Sequence, residues 1–150
     1  MAKAEISWKR VTEDVAARHP SLELDGMLVE QMAVRGVELI VGARRDPQWG
    51  PVVLVGLGGI WTEALDDVRL MPADLSHDGI LAEIAQLKGA RLLRGLRGSE
   101  PVDYGSIADT VMYVGTLMRS QPEISEVDIN PLVAYPRGVL ALDALIVTCE

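Results

Sequence analysis

Four short β-type runs follow one another with hairpin-like spacing in the first half of this 150-residue chain. They cover residues 27–32, 37–42, 52–57 and 62–69, and the stretch 44–51 is dense in turn-forming residues. A parallel pair needs a crossover of about a dozen or more residues, whereas antiparallel strands need only a short turn. The spacing therefore predicts an antiparallel sheet rather than a series of βαβ units.

Helical patterns lie at the start and in the middle of the chain. Residues 3–18 form a charged, moderately amphipathic stretch. An apolar stripe at helical spacing spans residues 80–87, and a second spans Tyr104–Met118 behind Asp103, a residue type that caps helices. Both stripes are interpreted as core packing. With the final strand pair described below, the pattern predicts an α+β fold with helices on one side of the sheet.

The composition excludes several classes of protein. The chain has 14 Lys and Arg against 22 Asp and Glu, a net charge of −8, and 49% of its residues are hydrophobic. This apolar fraction is too high for a disordered chain, and the acidic excess argues against nucleic acid or an anionic membrane as the main partner. A single cysteine allows no internal disulfide, so we expect a cytoplasmic protein.

The last two strands bring oxygen-bearing side chains to one face. Because side chains alternate along a strand, Glu126, Asp128 and Asn130 share a face. A four-residue loop at 135–138 would place Asn130 directly opposite Asp143 in the following strand. Two carboxylates and an amide oxygen are ligands that Mg²⁺ prefers, so the arrangement predicts a metal site.

The environment of Asp143 decides between two interpretations of this hairpin. It is the only polar residue in the run 139–147, so we expect its carboxylate to be at least half buried and bound to a metal or paired. The alternative is a hydrogen bond to Asn130 that only fixes the hairpin, and the spacing favours neither. Pro131 cannot donate to a ladder, so the strand is expected to be interrupted or at an edge just after Asn130.

A glycine-rich sequence, Gly-Leu-Gly-Gly at 56–59, follows an apolar strand. Its backbone N–H groups could approach a phosphate, and a tight turn is the alternative. Glu30 and Glu38 lie in strand-like runs, where each alone is interpreted as a solvated strand residue. Arg94 and Arg97 could bind an anion, and the alternative is that they lie at a solvated helix end.

Three stretches carry a resemblance to known proteins: residues 37–59, the run 126–132 with its Asp-Ile-Asn-Pro sequence, and Leu-Asp-Ala at 142–144. Together they closely resemble the ATP-grasp domain of NDP-forming acyl-CoA synthetases. The family includes ADP-forming acetyl-CoA synthetase and, more distantly, the succinyl-CoA synthetase β subunit. The resemblance implies a C-terminal ATP-grasp subdomain and the reaction acyl-CoA + ADP + phosphate ⇌ acid + CoA + ATP, through an acyl phosphate and a phosphohistidine.

The resemblance also implies roles for single residues, with Mg²⁺ and ATP or ADP as cofactors. Asn130 and Asp143 match the residues that hold Mg²⁺ against the nucleotide phosphates. Asp128 matches an acidic position near the phosphohistidine loop, so we expect it to be catalytic. The residues expected to bind the nucleotide are Glu30, Gln31 and Met32 in an adenine-binding linker, Glu38 on a strand, and Gly58 and Gly59 in the glycine loop.

The lysines depart from the family pattern. A complete ATP-grasp domain begins with a subdomain that carries a phosphate-binding lysine on a strand. The lysines here are Lys3, Lys9 and Lys88, and none lies in a β-type run beside a glycine loop. The chain therefore resembles the C-terminal half of an ATP-grasp domain.

We accordingly expect one domain over residues 1–150, with an N-terminal helix in 1–20 and a nucleotide- and Mg²⁺-facing subdomain in 25–147. The expected partners are the N-terminal ATP-grasp half and the CoA-binding and catalytic-His domains, without which the chain is expected to be inactive. It would then expose an apolar patch suited to self-association. The alternatives are a non-catalytic ATP-grasp remnant that acts as a regulatory or interaction module, and a purely structural domain.

Overall fold

The computed structural model describes residues 2–59, 67–96 and 98–149. The chain divides into two compact units, one up to Val34 and one from Arg35 onward. Within the described residues, none of the helices has both the length and the apolar character that a membrane span requires.

The first unit contains the helix α1 (Ala2–Arg18). This confirms the helix predicted over residues 3–18. The run 27–32, predicted as a strand, has no regular secondary structure, so that prediction is wrong. Leu28 is 81% and Met32 89% exposed. An apolar run becomes a strand only where a neighbouring strand pairs with it, and this run has no such neighbour among the described residues.

The second unit is built on an antiparallel sheet, as the spacing of the β-type runs predicts. Its strands are β1 (Val37–Asp46), β2 (Gly50–Leu57), β3 (Val68–Pro72), β4 (Ile124–Ala134), β5 (Val139–Ala141) and β6 (Ala144–Thr148). All described pairs are antiparallel, in the order β3-β2-β1-β4-β5, and β6 also pairs with β4. The predicted strand 62–69 falls largely on residues 60–66, which lie outside the described residues.

Three helices of the second unit connect β3 to β4. They are α2 (His77–Ala85), α3 (Ala90–Leu93) and α4 (Tyr104–Ser120). The Asp103 side chain accepts a hydrogen bond from the Ser106 N–H at 3.0 Å, so Asp103 is the predicted N-cap. Both apolar stripes are buried as predicted, with Ile84 of α2 and Ile107 of α4 fully enclosed.

The core lies between these helices and one face of the sheet, here called the core face. Leu39 and Val41 of β1 are fully buried on it, together with Val55 of β2. Glu38 alternates with them and is exposed on the opposite face, here called the open face. Asp128 of β4 lies on the open face too, since Val127 beside it is in the core. The architecture is therefore α+β with the helices on one side, as predicted.

Arg45, on the core face of β1, holds the end of α4 against the sheet. Its guanidinium donates hydrogen bonds to the carbonyls of Ile124 at 2.7 Å and Gln121 at 2.6 Å, and to that of Met118. The last carbonyls of a helix have no partner within the helix, so these bonds cap its C-terminal end.

We expect Arg45→Leu to lower the free energy of unfolding by about 2 kcal/mol, because it removes several charge-assisted hydrogen bonds at once. Urea denaturation measures this loss. The matched control is Arg44→Leu, which changes the neighbouring exposed arginine on the open face and should cost much less. Equal losses in the two variants would contradict the assigned role of Arg45.

Asp103 joins the start of α4 to the turn between β4 and β5. Its carboxylate accepts hydrogen bonds from the Gly138 N–H at 2.9 Å and from both the N–H and the hydroxyl of Ser106. These donors, the Gly138 N–H foremost, hold the pKa of the Asp103 carboxyl below its ordinary value of 3.8. Because the folded pKa is the lower one, the ionised carboxylate stabilises the fold at neutral pH. That contribution is lost as the pH falls below 3.8 through the folded pKa.

We expect Asp103→Ala to lower the melting temperature by several degrees at neutral pH, and by progressively less as the pH is lowered below 3.8. Melting curves from pH 7 down to pH 2 measure the difference from wild type. Glu123→Ala, which removes an exposed carboxylate just beyond the same helix, is the control. A deficit that stays constant across this pH range would contradict the charge-based explanation.

Candidate functional site

The hairpin between β4 and β5 has the predicted loop and register. The Tyr135 N–H donates to the Gly138 carbonyl at 3.1 Å, which closes the loop at residues 135–138. Ala134 pairs with Val139, as the sequence predicts. The loop length thus determines which residues face each other further along the hairpin.

The same register continues through β6 and places Asn130 opposite Asp143. Ile129 pairs with Ala144, and the Asn130 N–H donates to the Asp143 carbonyl at 3.2 Å. Asp128 lies two positions from Asn130 on the same face, about 7 Å along the strand. The predicted meeting of Asn130 and Asp143 is therefore confirmed, and their roles remain predictions.

The predicted burial of Asp143 is wrong, because its side chain is exposed. The run 139–147 is not one continuous strand but breaks at residues 142–143, between β5 and β6. All five residues of β6 are exposed. Apolar residues in an edge strand stay accessible where no further layer covers them, so an apolar run does not imply burial of the carboxylate within it.

Pro131 marks an irregularity within β4. Leu132 pairs with Leu39 and Ile129 with Val41, so β4 has one residue more than β1 between these pairs. The ladder is interrupted as predicted, but the edge alternative is wrong, since β4 lies between β1 and β5. This bulge keeps Asn130 on the open face while Leu132 returns to the core.

The side-chain oxygen atoms of Asn130 and Asp143 fit a Mg²⁺ ion that is shared with a phosphate-bearing ligand. Asp143 Oδ1 accepts a hydrogen bond from the Ala144 N–H at 2.9 Å, which orients the carboxylate. Asn130 is exposed on the same face. Among the described residues, no three His, Cys, Asp or Glu side chains are grouped to hold a metal by themselves. Because protein Mg²⁺ sites commonly use one or two carboxylates plus substrate phosphates and waters, the ligand would complete this one.

Glu38, Gly58 and Gly59 come together where β1 begins and β2 ends. The Gly58 N–H donates to the Glu38 carbonyl at 2.8 Å, so this N–H is engaged within the protein. Gly59 has φ of +65°, and a Cβ there would lie 2.8 Å from Glu38 Oε2. The Glu38 carboxylate therefore lies directly over Gly59, a place that only glycine leaves open.

A cavity of about 480 Å³ lies at this end of the sheet. Its wall combines one carboxylate, backbone groups and apolar side chains, a mixture common in pockets for small organic ligands. The lining residues are Gly36, Val37, Glu38, Leu57, Gly58, Gly59, Leu92, Leu96 and Ser99.

The open face connects this cavity to the Asn130–Asp143 pair. Ile40 lies two residues from Glu38 on β1, at the level of the bulge that contains Asn130. It pairs with Gly56, which is buried beneath the Val68 side chain and the Asp67 carbonyl. A ligand of nucleotide length would span the distance, about 7 Å along the strands and one strand across.

Three of the predicted nucleotide-binding residues, Glu30, Gln31 and Met32, belong to the first unit and are exposed. They lie in the run that forms no strand. Their part in a site stays a prediction from the family resemblance.

The sequence gives no sign of the role of Asp67, a charged residue that is only 3% exposed. Its carboxylate accepts hydrogen bonds from the N–H groups of Lys88 and Gly89, each at 2.7 Å. A Cβ on Gly89 would lie 2.1 Å from Leu57 Cδ1, so a larger residue there would displace the Leu57 side chain. Asp67 thereby fixes the start of the segment that supplies Leu92 to the cavity wall.

Comparison with known proteins decides the family. The ATP-grasp domain family matches residues 2–148. The chain belongs to the ATP-grasp family. This ATP-grasp chain is 41% identical over 141 residues to trans-feruloyl-CoA synthase FCS1 of an unknown prokaryotic organism, an alignment that covers 93% of the chain and 20% of that protein. It is 38% identical to the β subunit of acetate–CoA ligase (ADP-forming) I of Pyrococcus furiosus, with 95% of the chain and 61% of the subunit covered.

Solved structures show the same fold. One is dinucleotide-forming acetyl-coenzyme A synthetase 1 of Candidatus Korarchaeum cryptofilum in complex with coenzyme A and Mg-AMPPCP. It is 44% identical to the ATP-grasp chain with a TM-score of 0.75, over 78% of the chain and 55% of that structure. The ATP-grasp chain thus spans between about a fifth and three fifths of the length of these relatives.

Proposed function

We propose that this ATP-grasp chain is the nucleotide- and Mg²⁺-binding part of an ADP-forming acyl-CoA synthetase. The reaction is acyl-CoA + ADP + phosphate ⇌ acid + CoA + ATP, through an acyl phosphate and a phosphohistidine. The observation that carries the proposal is the position of Asn130 opposite Asp143, on the open face that also carries Glu38, a residue of the cavity at the end of the sheet. The identity to proteins named as ADP-forming ligases supports the reaction class.

In this proposal the nucleotide lies along the open face. Glu38 is available to accept hydrogen bonds from sugar hydroxyls, because its carboxylate lies at the cavity wall. Phosphate contacts fall to the Gly59 N–H rather than to that of Gly58, which is engaged by the Glu38 carbonyl. The segment Glu30–Met32 is assigned to the adenine edge by family resemblance.

Asn130 and Asp143 are the proposed Mg²⁺ ligands of this chain. The bound ion would neutralise and align the phosphates, so its contribution is electrostatic. Asp128, about 7 Å along the strand, is proposed to face the phosphohistidine segment, where a carboxylate would fix the orientation of an imidazole ring. The chain's own contribution is therefore to position the nucleotide phosphates and to orient the imidazole ring that accepts a phosphoryl group.

The proposed partners are the N-terminal ATP-grasp half and the CoA-binding and catalytic-His domains. Exposed apolar residues at the sheet edge support a need for a partner surface: Leu145 is 59% and Ile146 52% exposed.

The test is an assay of the complete protein that contains this chain, supplied with acyl-CoA, ADP, phosphate and Mg²⁺. Formation of ATP in step with CoA release is the expected result. Calorimetry with ADP and Mg²⁺ separates the proposal from a non-catalytic ATP-grasp module. Absence of Mg²⁺-dependent nucleotide binding, even with the N-terminal half present, would contradict the proposal and favour the module.

A further inference from the structure

Positive charge in this acidic protein is concentrated in one short segment. Residues 84–99 hold four of the 14 basic residues and none of the 22 acidic ones. The rest of the chain is therefore even more acidic than the net charge of −8 suggests. An anion that approaches the protein meets repulsion over most of its surface and attraction near this segment.

The basic segment forms one wall of the cavity described above. Leu92, Leu96 and Ser99 line it opposite Glu38 and Gly59. The segment thus connects a region of positive charge to a cavity that already carries predicted nucleotide-binding residues.

The segment is held in a defined conformation at both ends. Asp67 fixes its start through the Lys88 and Gly89 N–H groups. Near its other end, Ser99 Oγ makes hydrogen bonds of 2.9 Å to the Leu96 N–H and carbonyl. Gly95 has φ of +86°, and a Cβ there would lie 2.2 Å from the Ser99 carbonyl oxygen. The backbone that carries Arg91 and Arg94 is therefore held by contacts on both sides of them.

Arg91 and Arg94 are exposed on either side of the cavity-lining Leu92. Neither makes an ion pair within the part of the chain that the structure describes. A guanidinium stays charged at any physiological pH. Arg91 is next to Leu92 in the chain and Arg94 is two residues from both Leu92 and Leu96, so their backbones lie within about one Debye length, 8–10 Å at moderate salt, of the cavity wall. Their field therefore reaches the cavity mouth.

We propose that Arg91 and Arg94 form an electrostatic entrance that steers a phosphate-bearing nucleotide into the cavity of Glu38 and Gly59. This inference rests on the proposed function. It adds the route by which the nucleotide enters the cavity and the reason why it associates quickly. The nucleotide carries several negative charges, which the net charge of −8 would otherwise repel. Steering acts before contact, so it raises the association rate and leaves dissociation nearly unchanged.

The test is stopped-flow fluorescence of the full chain at low ionic strength with formycin 5′-diphosphate, a fluorescent analogue of ADP whose sugar hydroxyls are unmodified. We expect Arg91→Glu with Arg94→Glu to reduce the association rate constant about tenfold, with an unchanged dissociation rate constant. The reduction should be smaller for single substitutions and should fade as salt is added. Formycin, the same fluorescent nucleoside without phosphates, should bind at the same rate to all variants.

Arg119→Glu is the matched control for each single substitution, because it makes the same change in net charge. Arg119 lies in the last turn of α4, about 22 Å along the helix from Tyr104. Tyr104 itself contacts α3 through a hydrogen bond to the Ala90 carbonyl. The control variant should associate nearly as fast as wild type.

The outcomes separate this inference from the proposed function. Failure of the wild-type chain to bind both fluorescent ligands, even with the N-terminal ATP-grasp half present, would overturn both proposals. Normal binding with no effect of the Arg91 and Arg94 substitutions would overturn steering alone, as would an equal effect of Arg119→Glu. A change confined to dissociation would also overturn it, because that result indicates direct contact with the bound ligand.

Discussion

Asp143→Ala is expected to reduce ATP formation by the complete synthetase about 100-fold or more at a fixed Mg²⁺ concentration, with the fold intact. In the proposed function Asp143 and Asn130 are the two protein ligands of the Mg²⁺ ion that aligns the phosphates. Loss of the Asp143 carboxylate therefore weakens the stabilisation of the negative charge that develops during phosphoryl transfer. Asp143 is exposed, and its known hydrogen bond joins its own side chain to the next backbone N–H. The substitution should therefore leave the melting temperature nearly unchanged.

The measurement is the initial rate as a function of Mg²⁺ concentration. Asp143→Ala should require much more Mg²⁺ for half-maximal rate, and Asn130→Ala should behave similarly. Glu123→Gln removes an exposed carboxylate just before β4 and is the control. Wild-type rates in Asp143→Ala, or a loss explained by unfolding, would contradict the metal assignment.

Asp67→Ala is expected to lower the free energy of unfolding by about 3 kcal/mol, the largest stability loss predicted for a single side chain here. It leaves the Lys88 and Gly89 N–H groups without the acceptor that they have at 2.7 Å. Hydrogen bonds to a charged group contribute about 1.5–3 kcal/mol each. Urea denaturation followed by circular dichroism measures the loss.

Two further variants make this prediction specific. Asp67→Asn keeps one acceptor oxygen and should lose less than Asp67→Ala. Asp74→Ala, an exposed acidic position before α2, should change stability by less than about 0.5 kcal/mol. A loss in Asp67→Ala no larger than that in Asp74→Ala would show that Asp67 does not anchor the cavity wall.

The sheet and the hairpin were predictable because local rules determine them. A four-residue loop and the two-residue period of a strand are sufficient to place Asn130 opposite Asp143. Asp103 and the apolar stripe behind it likewise determine the start and the buried side of α4.

The features that sequence reasoning missed depend on contacts between distant residues. The run 27–32 has the composition of a strand, but pairing requires a neighbour that the run itself does not specify. The exposure of Asp143 depends on what covers the sheet edge, which the apolar pattern does not indicate. Asp67 accepts its hydrogen bonds from backbone groups 21 and 22 residues away, a pairing that no local spacing reveals.

The most direct test of the central claim is a heteronuclear NMR titration of the chain with AMPPCP, with and without Mg²⁺. The account predicts chemical-shift changes centred on Asn130, Asp143 and the Glu38–Gly59 cavity. It also predicts that the changes near Asn130 and Asp143 require Mg²⁺. Chemical-shift changes near Asn130 and Asp143 that are the same with and without Mg²⁺ would contradict this expectation. So would the absence of changes in both the hairpin and the cavity at millimolar AMPPCP.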